Sequence, residues 1–445
     1  MTAKTFPRGG MEIPHRKEAT EGKAIVTLAP PAQVVIPLQQ HIGARCEPVV
    51  NVGHYVKMGQ VVGDSSQFVS APVHASVSGK VVAIEERPLL NGSKCLAVVI
   101  ANDGRDEEYT LPVRPVEKMS AAEIRETVRK AGIVGMGGAG FPTHVKLNPP
   151  RPVDTVIING AECEPYLTCD HRLLVERTEE LVRGTRAIMK AAGAERGIIA
   201  IEENKPDAIA AVREAVGDAK DLTVEAMKVR YPQGAEKQLI KAVLGREVPS
   251  GKLPAEVGCI VSNVHTAIAV DAALTYGRTL YERVVTVSGG AVVDPRNVLV
   301  RVGTPLKDLL DFCGGTLGEP AALVGGGPMT GPPVASLDAP VVKNLSGILA
   351  LTDEEAGFDE NRPCIRCARC VNACPMGLLP LTIADLSANG RSAEAAQIGL
   401  MDCIECSLCS YVCPSKRALV TWIKQGKAAW NAQRRAAAAA GEKAV

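Results

Sequence analysis

The sequence contains no uninterrupted apolar stretch of the roughly 18 residues that a bilayer-crossing helix needs. Its start, MTAKTFPRGGMEIPHRKEAT, lacks the apolar core of a secretory signal. The expectation is a chain that stays in the cytoplasm and does not span a membrane. An excess of one charge is missing too: 50 Lys and Arg stand against 49 Asp and Glu, leaving +1. Without a bulk field, nucleic acid is not an expected partner. At 445 residues the chain is too long for one core, and two to four domains of about 100–200 residues are expected.

Fourteen cysteines would suggest disulfides in a small secreted protein. Here eight of them sit in two tight groups near the C-terminus of a long chain, where metal ligation is the better reading. Cys364, Cys367, Cys370 and Cys374-Pro375 form C-x2-C-x2-C-x3-C-P, and Cys403, Cys406, Cys409 and Cys413-Pro414 repeat it. Three thiolates at this spacing wrap one cubane, while the fourth points away and reaches the neighbouring cluster. The expected ligand sets for two [4Fe–4S] clusters are therefore Cys364, Cys367, Cys370 and Cys413, and Cys403, Cys406, Cys409 and Cys374. A pair of zinc sites is the alternative, but zinc folds usually supply two separated cysteine pairs. Cys46, Cys95, Cys163, Cys169, Cys259 and Cys313 stand in no ligand spacing and read as buried structural thiols.

Residues 25–105 carry short Val- and Ile-rich runs broken by Gly, Pro and Ser, the pattern of an all-β module. Its G-x-x-V-x-x-G-Q and A-P…S-G-K-V pieces resemble the barrel-sandwich fold of biotinyl and lipoyl carriers. The tip reads Gly63-Asp64-Ser65-Ser66-Gln67, with no lysine to acylate, so the module is expected to be structural. Ser120-Ala121-Ala122-Glu123 is a capping box that opens a helix towards Lys130. Strands at Thr155–Ile158, Gly197–Ile201 and Leu222–Val229 then alternate with helices across Leu173–Ala192 and from Pro206, which implies a largely parallel α/β sheet. Residues 283–350 return to short strands, with a helical stretch at Pro305–Phe312 and the turn GGGPMTG. This stretch resembles the ubiquitin-like SLBB module. The closing Ala-rich run has no apolar face and is expected to fray.

Between Gly132 and Gly140, five glycines stand in nine residues just after a helix, a loop whose backbone N–H groups can approach a phosphate closely. Alone it is weak evidence, being neither G-x-G-x-x-G after a strand nor a Walker loop. The segment NGAECEP at Asn159–Pro165 follows the apolar strand VIIN, at the end of the sheet where ligands bind.

GMGGAGFPT…K, NGAECEP, YPQGAEKQL at Tyr231–Leu239 and SNVHT at Ser262–Thr266 resemble the FMN- and NADH-binding segments of the complex I flavoprotein. The resemblance implies that Gly135, Gly137, Gly138 and Gly140 hold FMN phosphate and leave room for NADH. Phe141 would stack on the dinucleotide, Glu162 and Glu164 would fix ribityl and ribose hydroxyls, and Lys146 would supply a cation. Asn159, Gly234, Glu236, Asn263 and Thr266 carry over as flavin-pocket positions. Met136 stands where that family has an arginine, and His144 replaces a glycine, which weakens the case for tight nucleotide binding.

The order of parts, with two clusters instead of one, is similar to the RnfC family over nearly the whole chain. This resemblance implies a multidomain α/β protein: a barrel-sandwich β module at 1–117, a parallel α/β FMN/NADH domain at 118–282, an SLBB-like β-grasp module at 283–351, a helical two-cluster ferredoxin-like domain at 352–428, and an Ala-rich tail at 429–445. It further implies an NAD-dependent oxidoreductase subunit, peripheral on the cytoplasmic side of the cell membrane. Electrons would pass between NAD(H), FMN and the clusters, with other Rnf-type subunits as partners, ferredoxin reached indirectly and membrane contact only through those partners. Hydride transfer by cofactor positioning would need no catalytic side chain. A cobalamin reductase-like enzyme and a cluster-only electron wire are the competing readings.

Overall fold

Residues 3–357 and 361–439 are described by the computed structural model. Contacts divide the chain into two units, the first built from residues up to 4, 15–228 and 254–356, the second from 5–14, 229–253 and 357 onward.

The first unit contains three modules. In the N-terminal one, the strands Gln33–Pro37, Lys94–Asn102, Gly79–Pro88 and Tyr55–Val56 form an antiparallel sheet in that order, and Glu47–Pro48, Val61–Asp64 and Val73–His74 form a second sheet. Val34, Ile36, Leu38, Val62, Val73, Val98 and Ile100 fill the space between them. Gly63 is needed inside that core: a Cβ there would lie 2.5 Å from Leu38 and 2.9 Å from Val73.

The second module is a four-stranded, wholly parallel sheet in the order Leu222–Met227, Arg196–Glu202, Thr155–Gly160, Cys259–Asn263. Continuous apolar runs such as VII and IIAI suit strands buried on both faces. Helix Ala121–Lys130 opens with the full capping box of Ser120 and Glu123. The helix expected across Leu173–Ala192 is instead two, Cys169–Glu176 and Thr178–Ala192. Arg177 leaves helical geometry (φ −128°, ψ 36°), and the Thr178 hydroxyl takes up the carbonyls of Leu174 and Val175. The chain runs outward from Thr155–Gly160 through two strands, then returns to its other side as Cys259–Asn263. This reversal creates a topological switch point, where ligands of such sheets bind.

The third module is a mixed five-stranded sheet, ordered Val26–Thr27, Arg296–Arg301, Glu282–Ser288, Gly347–Leu351, Ala322–Gly325, with helix Leu306–Phe312 against it. A mixed sheet holding one helix is the arrangement expected of a β-grasp module.

The second unit is mainly helical: Arg369–Ala373, Pro380–Ala388, Ser392–Gln397, Leu408–Tyr411 and Leu419–Ala439 pack around Ile383, Leu400, Leu419 and Ile423. Residues 229–253, placed by sequence with the flavin domain, group here. Tyr231 exchanges both backbone hydrogen bonds with Met11 (2.8 and 3.0 Å), Gln238 Nε2 donates to Met376 Sδ (3.0 Å), and Ser250 Oγ donates to Asp402 (2.6 Å). The run expected to fray continues the last helix as far as Ala439, consistent with the high helix propensity of alanine. Residues 440–445 lie outside the described residues.

Candidate functional site

The glycine loop is raised on a short two-rung ladder. Gly135 N–H donates to the Phe141 carbonyl (2.9 Å) and Thr143 N–H to the Ile133 carbonyl (3.0 Å), leaving residues 136–140 as the loop proper. Met136, at the position where an arginine was expected, is a core side chain only 1% exposed. Its N–H donates to Thr266 Oγ1 (3.0 Å), which ties the loop to the first turn of helix Val264–Tyr276. Gly137, Gly138 and Ala139 are exposed, and among the described residues no acceptor engages their N–H groups. A Cβ on Gly138 would meet nothing within 4 Å, whereas one on Gly137 would lie 2.6 Å from Asn263 Nδ2.

Asn263 sits at the switch point, in register with Asn159 on the neighbouring strand. Its Oδ1 caps helix Val264–Tyr276 by accepting from His265 (2.9 Å) and Thr266 (3.4 Å), and its Nδ2 donates to Asp170 (2.6 Å). Asn159 Oδ1 accepts from the N–H of Ala161 (3.2 Å), and so shapes the turn that follows the strand. Glu162 adopts a left-handed backbone (φ 46°). That geometry turns its carboxylate onto the N–H groups of Asp170 (2.7 Å) and His171 (3.2 Å), a negative charge at a helix N-terminus. One ligand atom each of Glu162, Cys169 and Asp170 lies within 4.8 Å of the others. Burial, then the charge of Glu162, raises the Asp170 pKa well above the carboxylate range, while the Asn263 hydrogen bond opposes the shift. Asp170 can therefore hold a proton near neutral pH.

Glu164 accepts from Met329 N–H (3.0 Å) and Thr330 Oγ1 (2.5 Å), so the GGGPMTG turn of the β-grasp module closes over it. Lys146 Nζ donates to the Val261 carbonyl (2.8 Å) on the strand that ends in Asn263. Phe141 is half-buried at the foot of the loop. His144 is half-buried, and burial followed by the Arg129 charge lowers its pKa to about 4. Gly234 and Glu236 belong to the second unit, at the start of helix Glu236–Leu244.

Sequence reasoning missed the groups that hold the acidic turn at residues 161–167. Lys17, 2% exposed, donates to the carbonyls of Glu162 (3.0 Å), Glu164 (2.9 Å) and Leu167. Lys205 donates to the carbonyl of Ala161 (2.7 Å). Asp170 was the findable one, as an acid in the first turn of a helix beside a flagged strand end.

In the second unit the eight motif cysteines line two cavities: Cys364, Cys367, Cys370 and Cys413 around one, and Cys374, Cys403, Cys406 and Cys409 around the other. Each motif turns by the same device. Arg366 and Ala368 (φ 57° and 58°) repeat as Glu405 and Ser407 (φ 56° and 62°), two and four residues after the first cysteine. These left-handed positions turn backbone N–H groups onto sulfur: Arg366 to Cys364 (3.3 Å) and Glu405 to Cys403 (3.4 Å). Burial pushes the Cys406 and Cys409 thiols up to about 12. Such groups ionise readily only beside a cation, which cluster iron supplies. Soft sulfur donors, inward backbone N–H groups and a four-and-four partition fit two iron–sulfur clusters.

Comparison with known proteins matches four stretches of the chain to family models. Residues 4–105 match the RnfC barrel sandwich hybrid domain, 128–272 the Nuo51 FMN-binding domain, 284–333 the SLBB domain and 363–417 the 4Fe-4S dicluster domain. The corresponding component of the Na(+)-translocating ferredoxin:NAD(+) oxidoreductase complex of Acetobacterium woodii is 47% identical over 96% of this chain and 98% of its own length. The chain belongs to the RnfC family. Its counterpart in the proton-translocating ferredoxin:NAD(+) oxidoreductase complex of Clostridium ljungdahlii is 46% identical, over 94% of this chain and 92% of its own. The counterpart in the ion-translocating oxidoreductase complex of Rhodobacter capsulatus is 43% identical, over 88% and 77%. With an FMN-binding domain and a dicluster domain in one RnfC chain, FMN and two [4Fe–4S] clusters are its cofactors.

Proposed function

We propose that this chain passes electrons between NAD(H), FMN and two [4Fe–4S] clusters as the peripheral subunit of an Rnf-type ferredoxin:NAD oxidoreductase. It would sit on the cytoplasmic side of the membrane, with partner subunits coupling the flow to Na⁺ or H⁺ transport. The observation that carries the reading is the pairing, in one chain, of a glycine loop at a sheet switch point with two four-cysteine cradles. FMN exchanges one or two electrons, which lets a two-electron donor feed one-electron clusters.

In this proposal the N–H groups of residues 137–139 receive the FMN phosphate, and Gly135 and Gly140 shape the loop. Asn159, Asn263 and Thr266 fix the flavin side of the cleft, Glu162 and Glu164 hold its acidic wall, and Lys146 and Phe141 frame the loop's base. Cys364, Cys367, Cys370 and Cys413 bind one cluster, and Cys374, Cys403, Cys406 and Cys409 the other. Gly234 and Glu236 are assigned to the nucleotide path by their resemblance to the complex I segment. No helix among the described residues is long and apolar enough to cross a membrane. Other Rnf subunits are the proposed partners and the proposed route to the membrane, and ferredoxin is reached through them.

Stoichiometric NADH titration of the anaerobic, cofactor-loaded chain tests this reading. Flavin absorbance near 450 nm should bleach, cluster reduction should follow, and about eight irons should be present per chain. One specific observation favours a second reading, an electron wire without NADH oxidation: Met136 is buried, so the loop has no cation at that position. Clusters that reduce with dithionite but not with NADH would establish the wire.

A further inference from the structure

The two cysteine motifs fold alike but are not equally covered. In the second, Cys403 and Cys406 are half-buried and Cys409 is buried. Lys427, from the last helix, closes over this half by donating to the Cys403 carbonyl (2.6 Å) and to Glu405 (2.7 Å). In the first, Cys364 and Cys367 are exposed. The residues that differ at matching positions follow the same asymmetry. Where the second motif has Glu405 and a buried Leu408, the first has exposed Arg366 and Arg369. From Asn361 to Cys374 the chain carries three arginines, Arg362, Arg366 and Arg369, and no acid. Ile365, 67% exposed, and Leu379, 50% exposed, line the same cavity as Cys364 and Cys367.

We propose that this face docks an acidic surface of a neighbouring redox protein, and that electrons cross there to or from the cluster held by Cys364, Cys367, Cys370 and Cys413. The inference rests on the electron-carrying reading above. An apolar centre rimmed by arginine is the composition of a protein interface, and arginine suits carboxylate partners because its fork pairs with them bidentately. The arginines of this stretch attract an acidic partner to the exposed cluster, whereas the other cluster is screened by its own helix.

The test uses the full, cofactor-loaded chain added back to membranes that hold the other subunits of the complex but lack this one. Wild type is compared with Arg362→Glu/Arg369→Glu and, as a charge control on the same unit, Arg391→Glu. Electron delivery from NADH to the membrane subunits should fall about tenfold or more in the double variant at roughly 50 mM salt, within the range of electrostatic steering. Wild type should decline towards the variant near 0.5 M, where screening removes the steering. NADH-driven cluster reduction in the isolated chain, read by EPR, should be unchanged, and Arg391→Glu should behave as wild type. Unchanged delivery with an unchanged salt slope would overturn the docking face. So would a double variant whose own cluster no longer reduces while the milder Arg362→Gln/Arg369→Gln, with intact clusters, delivers as wild type. Wild-type clusters that NADH fails to reduce would instead sink the electron-carrying reading and leave docking to be judged on membrane retention of the chain, which the charge reversal should abolish at low salt.

Discussion

Gly138→Ala separates what the fold needs from what a ligand needs. A Cβ at Gly138 meets no atom within 4 Å, and its backbone is outside the left-handed region. The substitution should leave the flavin-free chain as stable as before, or more stable by about 0.4–1 kcal/mol, because alanine narrows the unfolded ensemble. If the exposed N–H groups of this loop receive a phosphate, the new methyl occupies the space through which backbone and phosphate approach. Losing one hydrogen bond to a charged group costs roughly 1.5–3 kcal/mol, or about 10- to 150-fold in FMN affinity. Gly137→Ala should behave differently, because its Cβ would lie 2.6 Å from Asn263 Nδ2 and 2.8 Å from Asn263 Cγ. Asn263 caps a helix and holds Asp170, so this variant should lose about 1–3 kcal/mol of fold stability even without flavin. Thermal melting of the flavin-free chains and FMN titration by fluorescence quenching measure both effects. A Gly138→Ala chain that binds FMN within twofold of wild type would refute a phosphate seat at this point of the loop.

Cys374 stands in the first motif but lines the second cavity, so Cys374→Ser should abolish the cluster of Cys403, Cys406 and Cys409 and leave the other; iron per chain should drop from about eight to about four, with one EPR signal lost. Thr266→Val removes the acceptor of the Met136 N–H and should cost about 1–3 kcal/mol of stability by orphaning a buried donor, with weaker FMN binding from a loosened loop; an unchanged melting temperature would count against this tie. Lys343 is fully buried, donates to the carbonyls of Pro72 and Gly132 (2.7 Å each), and is lowered by burial to about 7 from its ordinary 10.5. Between those values the unfolded chain binds the extra proton, so Lys343's contribution to stability rises with pH; wild type should gain roughly 2–3 kcal/mol relative to Lys343→Met from pH 7 to pH 9, and a pH-independent difference would refute it.

What the sequence made legible was what local spacing determines. The parallel sheet follows from apolar runs alternating with helix-period segments, and Cys374 and Cys413, each set off by a three-residue gap, line the cavities opposite their own motifs. The capping box at Ser120 needs only four residues to specify it. Long-range choices were not legible. Lys17 lies 145 residues from the Glu162 carbonyl that it holds, and no periodicity announces a buried lysine whose partners are backbone oxygens. Residues 229–253 read as a continuation of the α/β domain because their helical pattern is ordinary, while the bonds of Tyr231 to Met11 and of Gln238 to Met376 that group them elsewhere lie far off in sequence.

The barrel-sandwich module has a structural part to play that needs no attachment point. Its tip has no lysine, and the structure shows what the tip does instead: Asp64 and the Ser65 carbonyl hold Arg129 (3.0 Å each), near the end of the helix that leads into the glycine loop. His74 takes the Lys130 carbonyl (2.9 Å), and Ile42 N–H donates to the Gly140 carbonyl (3.3 Å). From the β-grasp module, Lys343 takes the Gly132 carbonyl and Asn344 the Gly138 carbonyl (3.2 Å). Carbonyls at a helix C-terminus and in a glycine-dense loop are the groups that such a segment leaves unpaired. Glycine allows the loop its close approach but makes it entropically costly to hold in one shape. Donors from two flanking modules offset that cost, so the barrel and the β-grasp unit act as clamps on the glycine loop.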